Sequence, residues 1–409
     1  MLRKLISLIL LCIITLLAGE VALRFIPSSI QYPLRIQFSN EDGIGVVHAK
    51  NISVINRSAC SNKVLYSTNE WGMHDMERTL EKKQGVIRVA MLGDSMLDAE
   101  QVNDADVINR LLDERFKGKA EFLNFGMNAV GTMQESLLYE NKVRAFKPDI
   151  VLLMFYTEND IANNSVSLET TIFNGEPFLT YRDTEGKPYS VINFTASKKI
   201  RQFLQRNLAL YRLAREVYSG IHYKKSSPET NPFIPPGFTD IPDTATLSEL
   251  RQGRGANIRN EVFITSPDAE WEKAWDSTNK ELRRLRAMVE KDGARLLVAI
   301  VPSIMEFDPR TKEAITDAVF TRITNGRTID IDYPRTRAIG LLMQEGFDYF
   351  DLYVPMRKYA EEHGIGFPYF SFDCDSHWSA LGHEVAYEIL APVLQSYIAS
   401  SSVPNMLAN

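Results

Sequence analysis

Apolar and polar positions follow a different rhythm in each part of this 409-residue chain. Leu5 to Gly19 is an unbroken run of apolar or small residues, followed by Glu20 and a second apolar patch ending at Arg24. From Ile30 to about Gln84 no period is sustained, so this stretch reads as an irregular extension packed onto a body. Beginning at Val86, short apolar runs alternate with stretches of helical spacing. Val86 to Leu92 predicts a strand. Ala105 to Lys117 predicts a helix with Ile108, Leu111, Leu112 and Phe116 on one face and Gly118 as its stop. Phe122 to Phe125 is the second expected strand. Thr132-Met133-Gln134-Glu135 has the form of a capping box opening a helix through Phe146, and Lys147-Pro148 closes it before a strand from Ile150 to Phe155. Alternation of this kind argues for a parallel sheet covered by helices on both faces.

The alternation breaks between about Asn163 and Pro267. Here the pattern predicts a hairpin around Asp183 to Lys187, a helix from Ser197 to Tyr218, and a coil containing Pro228, Pro232, Pro235, Pro236 and Pro242, together an insertion or lid. Ser266-Pro267 then opens a long helix to Lys291 with Gly293 as its stop, and Leu296 to Val301 returns to strand. Phe347 to Leu352 is a further candidate strand, and Ser379 to Tyr397 is the last helix. The expected organisation is a membrane segment over residues 1–25, an extension over 26–85, an α/β domain over 86–400 with an insertion at 163–267, and a tail over 401–409.

Charge refines the reading at the N-terminus. Arg3 and Lys4 precede the apolar run, which predicts a signal anchor with its short tail in the cytoplasm and the remainder exported. In a bacterium this means a single-pass inner-membrane protein with its C-terminal domain in the periplasm. The run is short of the roughly 20 residues a span needs, but Glu20 fits the far headgroup level with Val21 to Leu23 in the interface. Secretion after signal cleavage is the alternative, although Leu16-Leu17-Ala18 makes a poor cleavage site. An oxidising compartment leaves Cys60 and Cys374 either bridged or as two separate thiols. Elsewhere the net charge of −6 is small, and no Lys/Arg cluster interleaves with aromatics, so nucleic acid is not an expected partner.

Candidate chemistry lies in Gly93-Asp94-Ser95 and Asp375-Ser376-His377, nearly three hundred residues apart. A serine hydroxyl becomes nucleophilic when an imidazole takes its proton and a carboxylate orients that imidazole. Ligands of open parallel sheets bind beyond the carboxyl ends of the strands. Ser95 follows the first expected strand, Ala129 and Gly131 the second, Asn159 the third, and Asp375 with His377 the last, so all share one edge. Ser95 is the expected nucleophile, His377 the base and Asp375 its orienting partner. The backbone N–H groups of Ser95 and Ala129, with the Asn159 amide, are the expected oxyanion hole. Asp94 and Asp160 read as structural, His383 as a packed residue and Trp378 as a wedge for the histidine loop. Tyr181, Tyr189 and Phe194 suit either a sugar platform or a hairpin core. His48, His74, His222 and His363 lack partners at metal spacing, so neither metal nor other cofactor is expected.

These motifs resemble those of the SGNH (GDSL-type) hydrolase superfamily, in order: Gly93-Asp94-Ser95, then Asn124 to Thr132, then Thr157-Glu158-Asn159-Asp160, then Asp375-Ser376-His377-Trp378. The resemblance covers about Gln84 to Asn163 and Ala294 to Tyr397. It implies a flavodoxin-like three-layer α/β/α sandwich and ester hydrolysis or acyl transfer. The anchor, the long insertion and the Asp-x-His-Trp block also resemble an exported branch that includes alginate O-acetylation proteins. From that likeness follows a serine esterase or O-acyltransferase acting on acyl, chiefly acetyl, esters of an exported carbohydrate, with a membrane acyltransferase as a partner. A lipid or small-ester hydrolase, or a non-catalytic glycan-binding subunit of an acylation complex, are the rival expectations. Three positions depart from the family pattern. Ala129 and Thr157 stand where glycines are usual, and Asp375 lies two residues before the histidine where three are common, with Asp373 as the fallback.

Overall fold

The computed structural model describes residues 2–25, 36–57, 63–172, 179–191, 195–223, 259–307, 327–366, 368–372 and 375–401. Its centre is a five-stranded sheet of β1 (Ile87–Gly93), β2 (Ala120–Gly126), β3 (Ile150–Tyr156), β4 (Arg295–Val301) and β5 (Tyr349–Asp351). The strands run parallel in the order β2-β1-β3-β4-β5. Both faces of the strands are buried, which is why they read as near-continuous apolar runs instead of alternating ones. Val89 and Met91 face a layer of helices Ile108–Arg115, Tyr353–Glu362 and Ala380–Ser401. Ala90 and Leu92 face helices Thr132–Asn141, Ala269–Lys291 and Tyr333–Gln344. The result is the three-layer sandwich that the motifs implied. Its strand order reverses at β1, opening the crevice between β1 and β3 where ligands of such sheets bind.

The two edges of the sheet differ in how they treat polar groups. At the amino edge, the buried Arg88 guanidinium pairs with Glu121 at 2.7 Å and donates to the Phe146 carbonyl at 2.6 Å, while Asp149 accepts from the Arg88 amide at 2.7 Å and pairs with Lys82. Charges there are matched, as burial requires. The carboxyl edge collects Ser95, Ala129, Asn159 and His377, and it is the edge that carries the candidate chemistry.

Several elements depart from expectation. The helix after β2 is N-capped by Gly131, not Thr132, and Gln134, not Glu135, reaches back to accept from the Gly131 amide at 3.1 Å. That helix ends at Asn141 and continues only as a 3-10 turn from Val143 to Phe146. The long insertion helix is two helices, Ala196–Asn207 and Ala209–Tyr223, broken at the extended Leu208. The helix to Lys291 starts two residues late, because Asp268 and not Ser266 caps it, accepting from the Glu270 and Trp271 amides. The extension carries two antiparallel pairs, Ile36–Phe38 with Val46–His48 and Ser53–Arg57 with Lys63–Ser67. The hairpin forms as Thr180–Arg182 with Pro188–Ser190. Tyr181 is buried in it, which makes it core and not a sugar platform, whereas Phe194 and the proline-rich coil lie outside the described residues. Leu2–Leu23 is a single helix of 22 residues, about 33 Å long at 1.5 Å per residue, long and apolar enough to cross a membrane.

Close backbone approach fixes the carboxyl edge. A Cβ on Gly126, at the end of β2, would stand 2.3 Å from the Asp98 amide nitrogen and 2.6 Å from the Leu97 carbonyl carbon. Backbone atoms cannot swing aside as a side-chain tip can. Gly118, by contrast, has open space around it and only a positive φ of 78° to protect. Gly126→Ala is therefore expected to lose about 3 kcal/mol or more through overpacking, and Gly118→Ala about 1 kcal/mol through backbone strain. Urea unfolding of the two variants beside the parent checks the ordering.

Candidate active site

The first group to be placed is Ser95, at the start of a one-turn helix, Ser95–Asp98, directly after β1. Asp94 caps the turn, its Oδ1 accepting from the Met96 amide at 2.9 Å, and Ala99 closes it in the left-handed conformation at φ 55°. Asp94 thus braces the turn, as its sequence context suggested. His377 arrives on the strand Asp375–Trp378, which pairs antiparallel with Ser371–Phe372. Its Nε2 lies 2.7 Å from Ser95 Oγ. With the ring proton on Nδ1, the serine hydroxyl donates to the imidazole, the arrangement needed for proton removal. Trp378 is buried beside it and packs edge-on against His383 at 5.6 Å. Gly382 lets the final helix close on this loop, since a Cβ there would meet the Phe370 carbonyl oxygen at 2.3 Å. The Asp375 backbone pairs with Phe372, but its side chain lies outside the described residues, as do Asp373, Cys374 and Cys60.

The second and third blocks lie against this turn. Asn124 donates through Nδ2 to the Leu97 carbonyl at 3.0 Å and accepts from the Gly126 amide at 2.8 Å, while the Met127 amide donates to the Gly93 carbonyl at 3.0 Å. Ala129 adopts φ 59°. This left-handed geometry explains the usual glycine, and alanine tolerates it at a cost of about 1 kcal/mol. Gly131 meets the third block, where a Cβ would stand 2.7 Å from the Asp160 carbonyl oxygen. Asn159 occupies the N-cap position of Asp160–Asn163, yet its side chain makes no capping hydrogen bond. Capping is therefore not its use. Asp160 is structural, its Oδ2 accepting from the Tyr156 amide at 3.0 Å. Glu158 ties the same loop sideways, accepting from the Tyr156 hydroxyl at 2.6 Å and from Ser303 beyond β4.

Burial pushes the Glu135 carboxyl well above the ordinary range, reinforced by the neighbouring Asp94 charge. Asp160 is pushed up in the same way, by burial, then Glu135, then Asp94. Both acids are shifted toward the neutral form beside the Ser95 turn, which lessens the negative charge at the edge where an oxyanion would form. His383 is driven down to about 3 by burial and by His74 and His377, and stays neutral.

The extension supplies a part of the site that the local pattern did not reveal. Asp98, the last residue of the nucleophile turn, is fully buried, accepts from the Tyr66 hydroxyl at 2.9 Å and lies 3.3 Å from His48 Nε2. His74 reaches the Asp98 carbonyl through Nδ1 and the Asp104 carboxylate through Nε2 at 3.0 Å. Both partners are acceptors only, so both ring nitrogens must carry protons, making His74 an imidazolium. Burial opposes that charge, but Asp104 and Asp98 outweigh it and raise the pKa above the usual value. The sequence signal was faint: histidines flanking a Tyr in a segment without periodicity.

A histidine with a raised folded pKa stabilises fully below its unfolded pKa, about 6.5, and loses that contribution as pH rises through the folded value. His74→Gln should therefore lower stability most at pH 6, with the gap to the parent narrowing toward pH 9. Urea midpoints across that range test this, and an unchanged gap would refute the charged state.

No family model matches the sequence, and no curated protein matches it. Among solved structures, one described as TesA is 10% identical, with 76% of this chain and 98% of that one covered at a TM-score of 0.34. The acetyl xylan esterase AlAXEase is 13% identical, covering 76% and 99% at 0.34. A lipase/acylhydrolase from Enterococcus faecalis is 12% identical, covering 76% and 96% at 0.33. Superposition this loose carries no argument about chemistry. What carries the resemblance to the SGNH (GDSL-type) hydrolase superfamily is local: four motif blocks in sequence order, delivered to one edge of a parallel sheet and joined by the contact between the first block and the last.

Proposed function

We propose that the protein is a membrane-anchored serine esterase or O-acyltransferase acting on acyl, chiefly acetyl, esters of an exported carbohydrate. The observation that carries this reading is the 2.7 Å approach of Ser95 Oγ to His377 Nε2 at the carboxyl edge of the sheet. In the proposed cycle, Ser95 Oγ bonds to the ester carbonyl carbon while its proton passes to His377 Nε2. The carbonyl oxygen gains the negative charge and is held by the backbone N–H groups of Ser95 and Ala129 and the Asn159 amide. Collapse of this intermediate breaks the bond to the leaving oxygen, which takes the proton from His377. Water or a sugar hydroxyl then gives a proton to His377, attacks the acyl-serine and releases Ser95. Asp375 orients the imidazole in this scheme. The carbohydrate reading is supported by Arg3 and Lys4 ahead of the apolar helix, which favour export to the periplasm, and by the motif resemblance to exported O-acetylation proteins.

The test uses the full chain in detergent beside Ser95→Ala and Asn159→Ala, reading fluorophosphonate labelling and acetate release from acetylated xylan and 4-nitrophenyl acetate. Ser95→Ala is expected to abolish both readouts. Asn159→Ala should retain labelling at a reduced rate and lose about 10²–10³ in turnover, the scale of one oxyanion donor. Labelling without turnover would favour a transferase lacking its acceptor. Turnover confined to 4-nitrophenyl acetate would favour a lipid or small ester, and absence of labelling would leave a glycan-binding subunit as the better reading.

A further inference from the structure

The insertion helices are joined to the membrane helix by a specific polar clamp. Glu20, near the end of Leu2–Leu23, accepts from the Ala209 amide at 2.9 Å and the Leu210 amide at 3.0 Å, capping the second insertion helix from a distant part of the chain. Arg24 pairs with Glu20 at 3.2 Å and donates to the Asn207 carbonyl at 3.1 Å, at the end of the first insertion helix. The break at Leu208 is thus held at the level where the apolar run stops. Gly19 lies against Leu210, where a Cβ would be in ordinary contact at 3.7 Å.

What the two helices present around that joint is unusual for an aqueous surface. Ile200 and Phe203, one turn apart, are 59% and 63% exposed, and Val217 and Tyr218 are 53% and 64% exposed. Between Ala196 and Tyr223 the only acidic residue is Glu216, against six Lys or Arg residues. Lys199, Arg201, Arg206 and Arg215 are exposed. Apolar side chains flanked by basic ones on a short amphipathic helix are the composition of segments that lie in a bilayer interface and are drawn to anionic headgroups.

We infer that Ala196–Asn207 and Ala209–Tyr223 form a membrane-docking platform, lying in the anionic lipid interface on the side where the anchor emerges and fixing the catalytic body at a set height above the bilayer. Continuity with the anchor and charge complementarity select lipid as the occupant. The inference rests on Leu2–Leu23 being a membrane anchor, so the experiment must separate the two.

Full-length protein is reconstituted in vesicles of phosphatidylethanolamine and phosphatidylglycerol containing a lipid with a diazirine in its acyl chain, irradiated, and mapped by mass spectrometry. The expected result is adducts both within residues 2–23 and around Ile200 and Phe203. In an Ile200→Glu/Phe203→Glu variant the second set should fall at least fivefold while the first persists. Replacing phosphatidylglycerol with phosphatidylcholine should also weaken only the second set. Adducts confined to residues 2–23 would leave the anchor standing and overturn the platform, and adducts in neither region would overturn both.

Discussion

A helix of four residues has no stability of its own, because nucleation costs more than one turn of hydrogen bonds returns. The Ser95–Asp98 turn is nevertheless the element around which the candidate active-site edge is arranged, and it is held by contacts from several other elements. Asp94 caps it from below, Asn124 takes the Leu97 carbonyl, and Gly126 lets the second strand press against its backbone. Tyr66, His48 and His74 of the extension converge on Asp98. His377 then meets a hydroxyl whose position is already determined. Preorganisation of this kind matters because misplacement of reacting groups by about 1 Å can cost 10²-fold in rate.

The clamps are polar and buried, which brings its own electrostatic constraint. Asp98 is held below the usual carboxylate range: burial works against its charge, but His48, His74 and Tyr66 outweigh it. Glu135 and Asp160 are pushed the other way, above the usual range, by burial first and then by neighbouring carboxylates. The carboxyls around this single helical turn are thus shifted in opposite senses, Asp98 toward its charged form and Glu135 and Asp160 toward their neutral forms. The extension is consequently more than a covering, since it supplies His48, His74 and Tyr66, which hold Asp98 below the usual carboxylate range.

How much of this could be read from the sequence follows from how local each signal is. β1 to β4 were legible because strands buried on both faces must be written as contiguous apolar residues. The addresses of Ser95, Ala129, Asn159 and His377 were legible because a parallel sheet sends every strand end to one edge. The histidine network was not, since its members meet across the fold: His48 and His74 each reach partners 24 residues away in sequence, at Gly72 and Asp98. The break at Leu208 was hidden for the same reason, its cap being a glutamate in the first helix. Helix Tyr333–Gln344 escaped because Arg335, buried to pair with Glu306, Asp332 and Asp351, interrupts the apolar period. Capping at Gly131 and not Thr132 shows the limit of a motif read without its backbone geometry.

The Glu20 clamp also bears on the order of biosynthesis. Its carboxylate and the amide of Ala209 are separated by 189 positions. At about 5–20 residues per second, the interval between synthesis of the two is on the order of 10–40 s. During that interval Glu20 has been made but its distant partners have not, so the first helix is not yet tied to the insertion. Closing the clamp is therefore a late event in folding, and it makes the first helix a fixed neighbour of the insertion helices.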